Sequence, residues 1–370
     1  MSLLPEWAPN LHPLVIHFPI ALLFAAGLVD AIGLLFKTKP MWKNAAFLLY
    51  ILGALAAVGA LFSGKQAADS VFLATEANAI LTEHADLGHW VVYFFGGYAL
   101  IRAIVFFAKL DDRMGLRFMV FLIGLGGLAL VWFTADHGGQ LVYQYGVGVQ
   151  AVDTTPSLAS VAADSTNSSA PARNSEGGWT WKPTRASAWA SGMTVAGTAA
   201  ESALKDGGDH GDVLALTAQG EAVMYTFDFP MTSLQLDAAL NLDGFTGTVM
   251  FVHHVIDQNN YQFMSVGDTE MKLGRSQNSD LYLLANEAFA PKGWVAYRVV
   301  SDQTHFRAYA DQKLIAHGHG DDPGSGVVGI RLNGSGTVLV DFIQTVSLRG
   351  EGTDSTMEAD ASKDEAEHQH

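Results

Sequence analysis

Five histidines in the first 150 residues have a spacing that a pair of haem or metal ligands would need. His12 and His17 precede or open a first apolar segment, and His84 and His89 do the same for a third. His137 follows a fourth. Two neutral imidazoles on facing helices ligate a six-coordinate b-type haem without any cysteine. We therefore expect His17 and His89 to be the axial ligands of haem b, with His12, His84 and His137 as second-tier candidates. The alternative is that all five bond only to water, lipid headgroups and helix-start amides.

These histidines belong to a tandem repeat. Positions 12 and 84, and positions 17 and 89, share one offset of 72 residues. Leu28–Ile32 corresponds to Leu100–Ile104 at that offset, and Phe62-Ser63 meets Phe133-Thr134 after a one-residue adjustment. If the repeated segments are helical hairpins that cross a membrane, such a parallel repeat implies a pseudo-two-fold axis along the membrane normal. The two axial candidates would then lie at similar depth.

Four apolar segments predict membrane helices. They cover roughly residues 14–36, 45–63, 87–108 and 118–135, and each carries one charge or none. A helix needs about 20 apolar residues to cross the hydrocarbon core of a bilayer. The alternative, a soluble buried bundle, is disfavoured by four such segments in succession.

The short loops predict the orientation. Residues 37–43 carry three lysines and residues 109–117 carry a lysine and two arginines, whereas the loop 64–86 has one lysine against four acidic residues. The positive-inside rule therefore predicts both termini outside, which in a Gram-negative cell means a multi-pass inner-membrane protein with periplasmic termini.

Asp30 and Arg102 are the only charges well inside these segments. Each lies seven residues before a lysine of a basic loop, so the two share a depth. An unpaired charge there costs about 3 kcal/mol or more. We expect a structural ion pair between the first and third helices; the alternative is a functional site.

Three motifs of this half are similar to one known family. Asn10–Pro19 (NLHPLVIHFP), the later His84 and His89, and Asp136–Tyr143 followed by Gly146–Val149 resemble the uncharacterised membrane family called domain of unknown function 2231. The resemblance covers residues 10–150. It implies a four-helix membrane module, sometimes found with cytochrome-type partners, and no established activity.

Composition divides the rest of the chain into three parts. Residues 151–178 are rich in Ser, Thr, Ala and Pro and predict a disordered linker. Residues 350–370 carry seven acidic residues against one lysine and predict a disordered acidic tail. Between them, residues 179–349 alternate apolar and polar side chains as strands do, which predicts an antiparallel β-sandwich. The clearest strands are Ala222–Phe229, Thr246–His253, Trp294–Val300 and Thr304–Ala310.

The order of these sequence segments resembles that of concanavalin A-like and laminin-G-like jelly rolls. Tyr261–Phe263 after a polar turn, the hairpin Arg307–Leu314, and the closing strands Gly326–Ile330 and Val340–Phe342 carry the likeness. It spans most of residues 179–349 and implies a fold without naming a ligand.

Few residues of this β part have the spacing of a catalytic site. Asp268 and Glu270 have the alternating spacing of a glycosidase pair, but Gly-Asp-Thr-Glu predicts a turn, so we favour a binding or docking module over a hydrolase. The adjacent His253 and His254 should point to opposite faces of a strand. His317 and His319 share a face, yet two ligands make a weak metal site. We therefore expect surface histidines.

Charge and cysteine content exclude several classes. The net charge of −16 lies almost wholly beyond residue 150, which argues against nucleic acid. The absence of cysteine excludes disulfides, iron–sulfur clusters and covalent haem attachment.

The expected class is an α+β multidomain membrane protein, with a four-helix transmembrane bundle of two repeated hairpins (residues 1–150) and an antiparallel jelly-roll sandwich (179–349). Three functions remain open. The first is electron transfer through haem b with a periplasmic redox partner. The second is an accessory subunit that packs against other subunits of a respiratory or photosynthetic membrane complex. The third is a membrane-anchored glycan-binding module.

Overall fold

The computed structural model describes residues 10–36, 40–110, 113–149, 172–173, 178–182 and 189–349. The predicted acidic tail, almost all of the predicted linker and two lysines of the first basic loop lie outside these residues. The described residues divide into two compact units: a helical unit of those up to Leu73 and from Ala79 to Val149, and a β unit of the others. Each is described by itself.

Within the described residues, the helical unit has one short and four long helices. They are α1 (His12–Val15), α2 (His17–Leu35), α3 (Pro40–Ala68), α4 (Ala77–Phe107) and α5 (Met114–Tyr143). Counting α1 and α2 as one segment, four helices are long and apolar enough to cross a membrane. The four apolar segments predicted from the sequence are thus helical, and α3, α4 and α5 extend well beyond the predicted limits because their polar ends are helical too.

The outward faces of these helices are apolar, as a lipid environment requires. Leu28, Leu55, Phe62 and Leu100 each expose more than 60% of their surface. The inward faces carry small residues instead. A Cβ at Gly53 would press into Leu23, so the glycine lets α2 and α3 approach closely.

A buried carboxylate–guanidinium pair lies inside this unit. Arg102 of α4 donates from Nη1 to Oδ2 of Asp30 on α2 over 2.8 Å, and both side chains are buried. The guanidinium also lies 5.0 Å from the ring centroid of Tyr50 on α3. Three helices therefore meet at one charged contact.

The described residues of the β unit form a single antiparallel sheet folded into two layers. Its strands are β1 (Ala172–Arg173), β2 (Trp179–Trp181), β3 (Met193–Ala196), β4 (Glu201–Asp206), β5 (Asp212–Gln219), β6 (Val223–Met231), β7 (Leu234–Asp257), β8 (Asn260–Val266), β9 (Glu270–Gln277), β10 (Asp280–Ala288), β11 (Trp294–Asp302), β12 (His305–Ala310), β13 (Lys313–His319) and β14 (Gly326–Ser347).

Two long strands connect the layers. The second half of β7 and the first half of β14 pair with each other and with β8 and β6, which continue to β9, β10 and β3. Their other halves pair with β11 and β2, which continue to β12, β13 and β1. The sandwich predicted from the sequence is confirmed.

Glycines form the corner between the two layers. Gly247 of β7 and Gly334 of β14 are paired and both have positive φ (136° and 156°). A Cβ at either would collide with a backbone carbonyl oxygen of the opposite strand. Only glycine fits such a bend.

The main core lies between the layers. It joins Phe227, Phe251 and Met264 of one layer to Tyr297 and Phe306 of the other. The predicted strands near residues 222, 246, 294 and 304 correspond to β6, β7, β11 and β12. The two predicted closing strands, Gly326–Ile330 and Val340–Phe342, are parts of the one strand β14, because the bend at the glycines does not interrupt its pairing.

The ion pair gives a stability prediction. Asp30→Asn should destabilise the helical unit by about 3 kcal/mol, since it leaves the Arg102 charge buried without a counter-charge. The exchange Asp30→Arg with Arg102→Asp should recover much of this loss. Thermal unfolding of the full chain in detergent measures both.

Leu28→Ala on the same helix is the matched control, because Leu28 is 64% exposed and should cost much less. An exchange variant no more stable than Asp30→Asn would contradict the prediction.

Candidate functional site

The structure brings two predicted histidines of the helical unit together, but they are His12 and His84. Their ring centroids lie 6.2 Å apart with the ring planes at 75°. His12 begins α1 and His84 lies in the first turns of α4, so equivalent positions of the repeat meet. Their hydrogen-bond partners, Ser63 and Thr134, are the pair that the sequence repeat aligns.

Hydrogen bonds determine the tautomer of both rings. His84 Nδ1 lies 2.9 Å from the carbonyl oxygen of Thr134, which can only accept, so Nδ1 donates. His12 Nδ1 lies 3.1 Å from Ser63 Oγ, whose own proton is donated to the carbonyl of Ala60, so His12 Nδ1 also donates. In the neutral rings both Nε2 atoms therefore keep their lone pairs, which is the form that binds a metal.

The other three histidines have different surroundings. His17 is exposed on α2, and no ring contact joins it to His89 within the described residues. His89 donates from Nδ1 to the carbonyl of Ala85 on its own helix. His137 donates from Nδ1 to the carbonyl of Phe133, and its Nε2 lies 3.3 Å from Glu83.

A second group of polar side chains lies in the β unit, as a row across three strands. Gln262 of β8 is paired with Arg275 of β9, which is paired with Tyr282 of β10. Residues directly opposite each other in an antiparallel ladder point to the same face. Met264 and Leu273, two positions along β8 and β9, belong to the main core. The row therefore continues the core-facing side of the layer beyond the core.

Asp321, in the segment after β13, completes this group. Arg275 donates from Nη1 to Oδ2 of Asp321 over 2.8 Å, and its guanidinium carbon lies 5.5 Å from the Tyr282 ring centroid. Tyr282 is 47% exposed. Two buried atoms of the row, Gln262 Oε1 and Arg275 Nε, have no hydrogen-bond partner among the described residues. We call Gln262, Arg275, Tyr282 and Asp321 the polar row.

Sequence reasoning missed the polar row because its members are 59 residues apart along the chain, from 262 to 321. Its signal was the predicted turn Gly267–Glu270, which joins β8 to β9. Counting outward from that turn and from the next one, at Asn278-Ser279, would have aligned the β8, β9 and β10 members.

The expectation for His253 and His254 is wrong in two respects. Both are buried, and their Nδ1 atoms lie 2.7 Å apart instead of pointing to opposite faces. His254 has φ +50° at a shift in the β7–β8 register, and this left-handed residue turns the second ring back toward the first. Burial, reinforced by the neighbouring His254, holds the pKa of His253 well below its ordinary value.

The two carboxylates considered for hydrolysis lie at a turn, as the sequence predicts. Asp268 is in the bend between β8 and β9, and the amide of Gly267 donates to the carbonyl of Glu270. The Glu270 carboxylate accepts from Lys272. This arrangement is a solvent-facing hairpin with an ion pair.

Fold and sites together define a two-unit protein in which helices able to cross a membrane precede an antiparallel β-sandwich. Residues 8–151 match the family model described as "Predicted membrane protein (DUF2231)", so this part of the chain is a domain of that family. No curated protein matches the chain.

Several solved structures are similar to part of the chain. Carbohydrate-binding module CBM66 from Bacillus subtilis has 13% identity, a TM-score of 0.35 and coverage of 42% of this chain and 96% of that one. A B. subtilis protein of unknown function with a galectin-like fold has 10% identity, a TM-score of 0.36 and coverage of 45% and 94%. Domain 4 of the arabinanase AbnA from Geobacillus stearothermophilus, solved with arabinotriose, has 16% identity, a TM-score of 0.33 and coverage of 42% and 82%. These similarities do not assign the ligands of those proteins to this chain.

Proposed function

We propose that this chain is a membrane-anchored glycan-binding protein whose β unit binds a saccharide at the polar row. The observation that carries the proposal is the combination of a half-exposed aromatic ring, Tyr282, with the neighbouring Arg275–Asp321 pair, whose carboxylate is exposed. Binding sites of small molecules typically combine apolar surface with a few convergent polar groups.

The chemistry of the row suits a sugar. Each hydroxyl group both donates and accepts a hydrogen bond. Arg275 offers donors, and the carboxylate of Asp321, whose side chain is 86% exposed, offers acceptors. The ring of Tyr282 provides an apolar surface beside them, against which the C–H face of a pyranose or furanose can pack.

Binding of defined oligosaccharides tests this function. The full chain in detergent, applied to an array that includes arabinotriose, should bind at least one glycan. Tyr282→Ala should weaken that binding by about tenfold or more, since a tenfold change corresponds to about 1.4 kcal/mol, within the range of an aromatic contact. Arg275→Ala should weaken it similarly through the lost donors.

Leu281→Ala is the matched control. Leu281 is the exposed neighbour of Tyr282 on β10 and, one residue along the strand, points to the opposite face. Absence of binding to every glycan, or an equal loss in Leu281→Ala, would rule out the polar row as a saccharide site.

The orientation of the chain is a separate part of the proposal and rests on the basic loops. With both basic loops on the cytoplasmic side, the β unit would lie in the periplasm of a Gram-negative cell, where it can meet cell-envelope glycans.

A fusion to the C-terminus tests this orientation. Alkaline phosphatase fused after His370 should be active, because this enzyme matures only outside the cytoplasm. Green fluorescent protein fused at the same point should be dark, because it folds poorly in the periplasm. The opposite pair of results would show that the C-terminus lies in the cytoplasm. The unfused chain is the control for membrane insertion: detergent alone should extract it from the membrane fraction.

A second candidate function, electron transfer through haem b, is favoured by the contact of His12 and His84. Their Nε2 lone pairs are available because both Nδ1 atoms donate elsewhere. They are therefore the first ligand candidates by geometry, whereas His17 and His89 were the first by sequence. Such a haem would supply one-electron chemistry, and the two histidines would hold it between the hairpins.

The visible spectrum of the full chain, produced with haem supplied, tests this candidate. A Soret band and a reduced α-band should be present, and His12→Ala or His84→Ala should abolish them while the exposed His17→Ala keeps them. Loss in His17→Ala and His89→Ala instead would favour the pair chosen from the repeat. A wild-type protein without a Soret band would eliminate electron transfer through haem.

A further inference from the structure

Three histidines come together at the end of the hairpin formed by β12 and β13. His305 begins β12, and His317 and His319 end β13. His305 is the cross-strand partner of His319. The ring centroid of His319 lies 4.6 Å from that of His305 and 4.8 Å from that of His317. The ring centroids of His305 and His317 lie 6.3 Å apart.

The strand geometry keeps these rings on one face. His317 and His319 are separated by Gly318, whose Cβ position lies only 2.8 Å from the Cβ of Leu284 on β10. The opposite face at this point is therefore filled by the core, where Phe306 lies between His305 and Arg307 along β12. The histidines consequently share the side of the layer that faces away from the main core.

We propose that His305, His317 and His319 form a binding site for a divalent transition-metal ion, with Zn²⁺ as the occupant. One ligand nitrogen from each residue can be chosen so that all three lie within 4.8 Å of one another. Within the described residues, no other group of three or more histidine, aspartate or glutamate side chains converges in this way.

The distances fit a site that closes around the ion. Zinc binds imidazole nitrogen at about 2.0–2.1 Å, so tetrahedral ligand atoms lie about 3.4 Å apart. The nitrogens must therefore approach by roughly 1.4 Å at most. His305 is buried and fixed by its strand, whereas His319 is exposed and His317 half-buried, so side-chain rotation of these two can close the gap.

The donor set selects the class of metal. Three imidazoles with no thiolate suit zinc, copper and nickel, whereas magnesium and calcium prefer carboxylate, carbonyl and water oxygens. Three protein ligands also leave the fourth tetrahedral position open for water or an anionic ligand. The site includes none of the four residues of the polar row, so zinc binding and glycan binding can be tested independently of each other.

Zinc binding to the full chain tests the proposal. The protein is purified in detergent without a polyhistidine tag, treated with a chelator and dialysed against ZnCl₂, and bound metal is measured by elemental analysis. We expect one Zn²⁺ per chain and a higher melting temperature of the β unit, because an ion that binds only the folded state stabilises it. Co²⁺ at the same site should give the visible d–d bands of tetrahedral coordination.

Two double variants make the comparison. The double variant His317→Ala with His319→Ala changes no fully buried side chain and should lose the bound zinc. Its affinity for zinc should fall by more than about 100-fold, the upper end of the loss seen when a residue that only orients a ligand is replaced. His368→Ala with His370→Ala removes two histidines outside the described residues and should keep the zinc. Melting in the absence of metal verifies that the first variant is folded. No stoichiometric zinc in the wild type, or full retention in the first variant, would overturn the proposal.

Discussion

The buried contact of Asp30 with Arg102 is the interaction on which the helical unit most depends. In a bilayer, helices gain little from apolar association because lipid tails are as apolar as leucine side chains. A charge pair that must be made by two helices therefore fixes which faces meet. Because the pair joins the two hairpins at equivalent positions and Tyr50 of α3 packs against the guanidinium, one contact sets the packing of three helices.

The same constraint explains why the histidines at the other end of the helices meet as they do. Once equivalent positions on α2 and α4 are joined, the residues that precede them in the repeat are brought together as well. His12 and His84 then lie side by side, each bonded to the following helix of its own hairpin through Ser63 or Thr134. The helix-internal bonds of His89 and His137, by contrast, turn those rings along their own helices.

The fold of the β unit depends on two long, continuous strands instead of on a charged contact. β7 and β14 pair along nearly their whole length and carry the sheet around a corner at Gly247 and Gly334, so both layers share two strands. Residues far apart in sequence are then held in register by strands that end at different edges. The polar row lies at one edge, across β8 to β10, and the histidine triad at another, on β12 and β13. Each group has the rigid backbone support that a binding site needs.

Much of this protein was determined by its sequence alone. Apolar length defined four membrane-length helices, period-two alternation defined strands such as β6 and β12, and the repeat put Asp30 opposite Arg102, because each of these features depends on local spacing. The tertiary structure alone decided which side chains meet. The pairing of His12 with His84 depends on how the hairpins pack, the turn of His254 on one left-handed residue, and the approach of His305 to His319 on a hairpin register that contains a bulge. A shift of one residue reverses the face of a strand, so contacts between strands remain undetermined until the register is known.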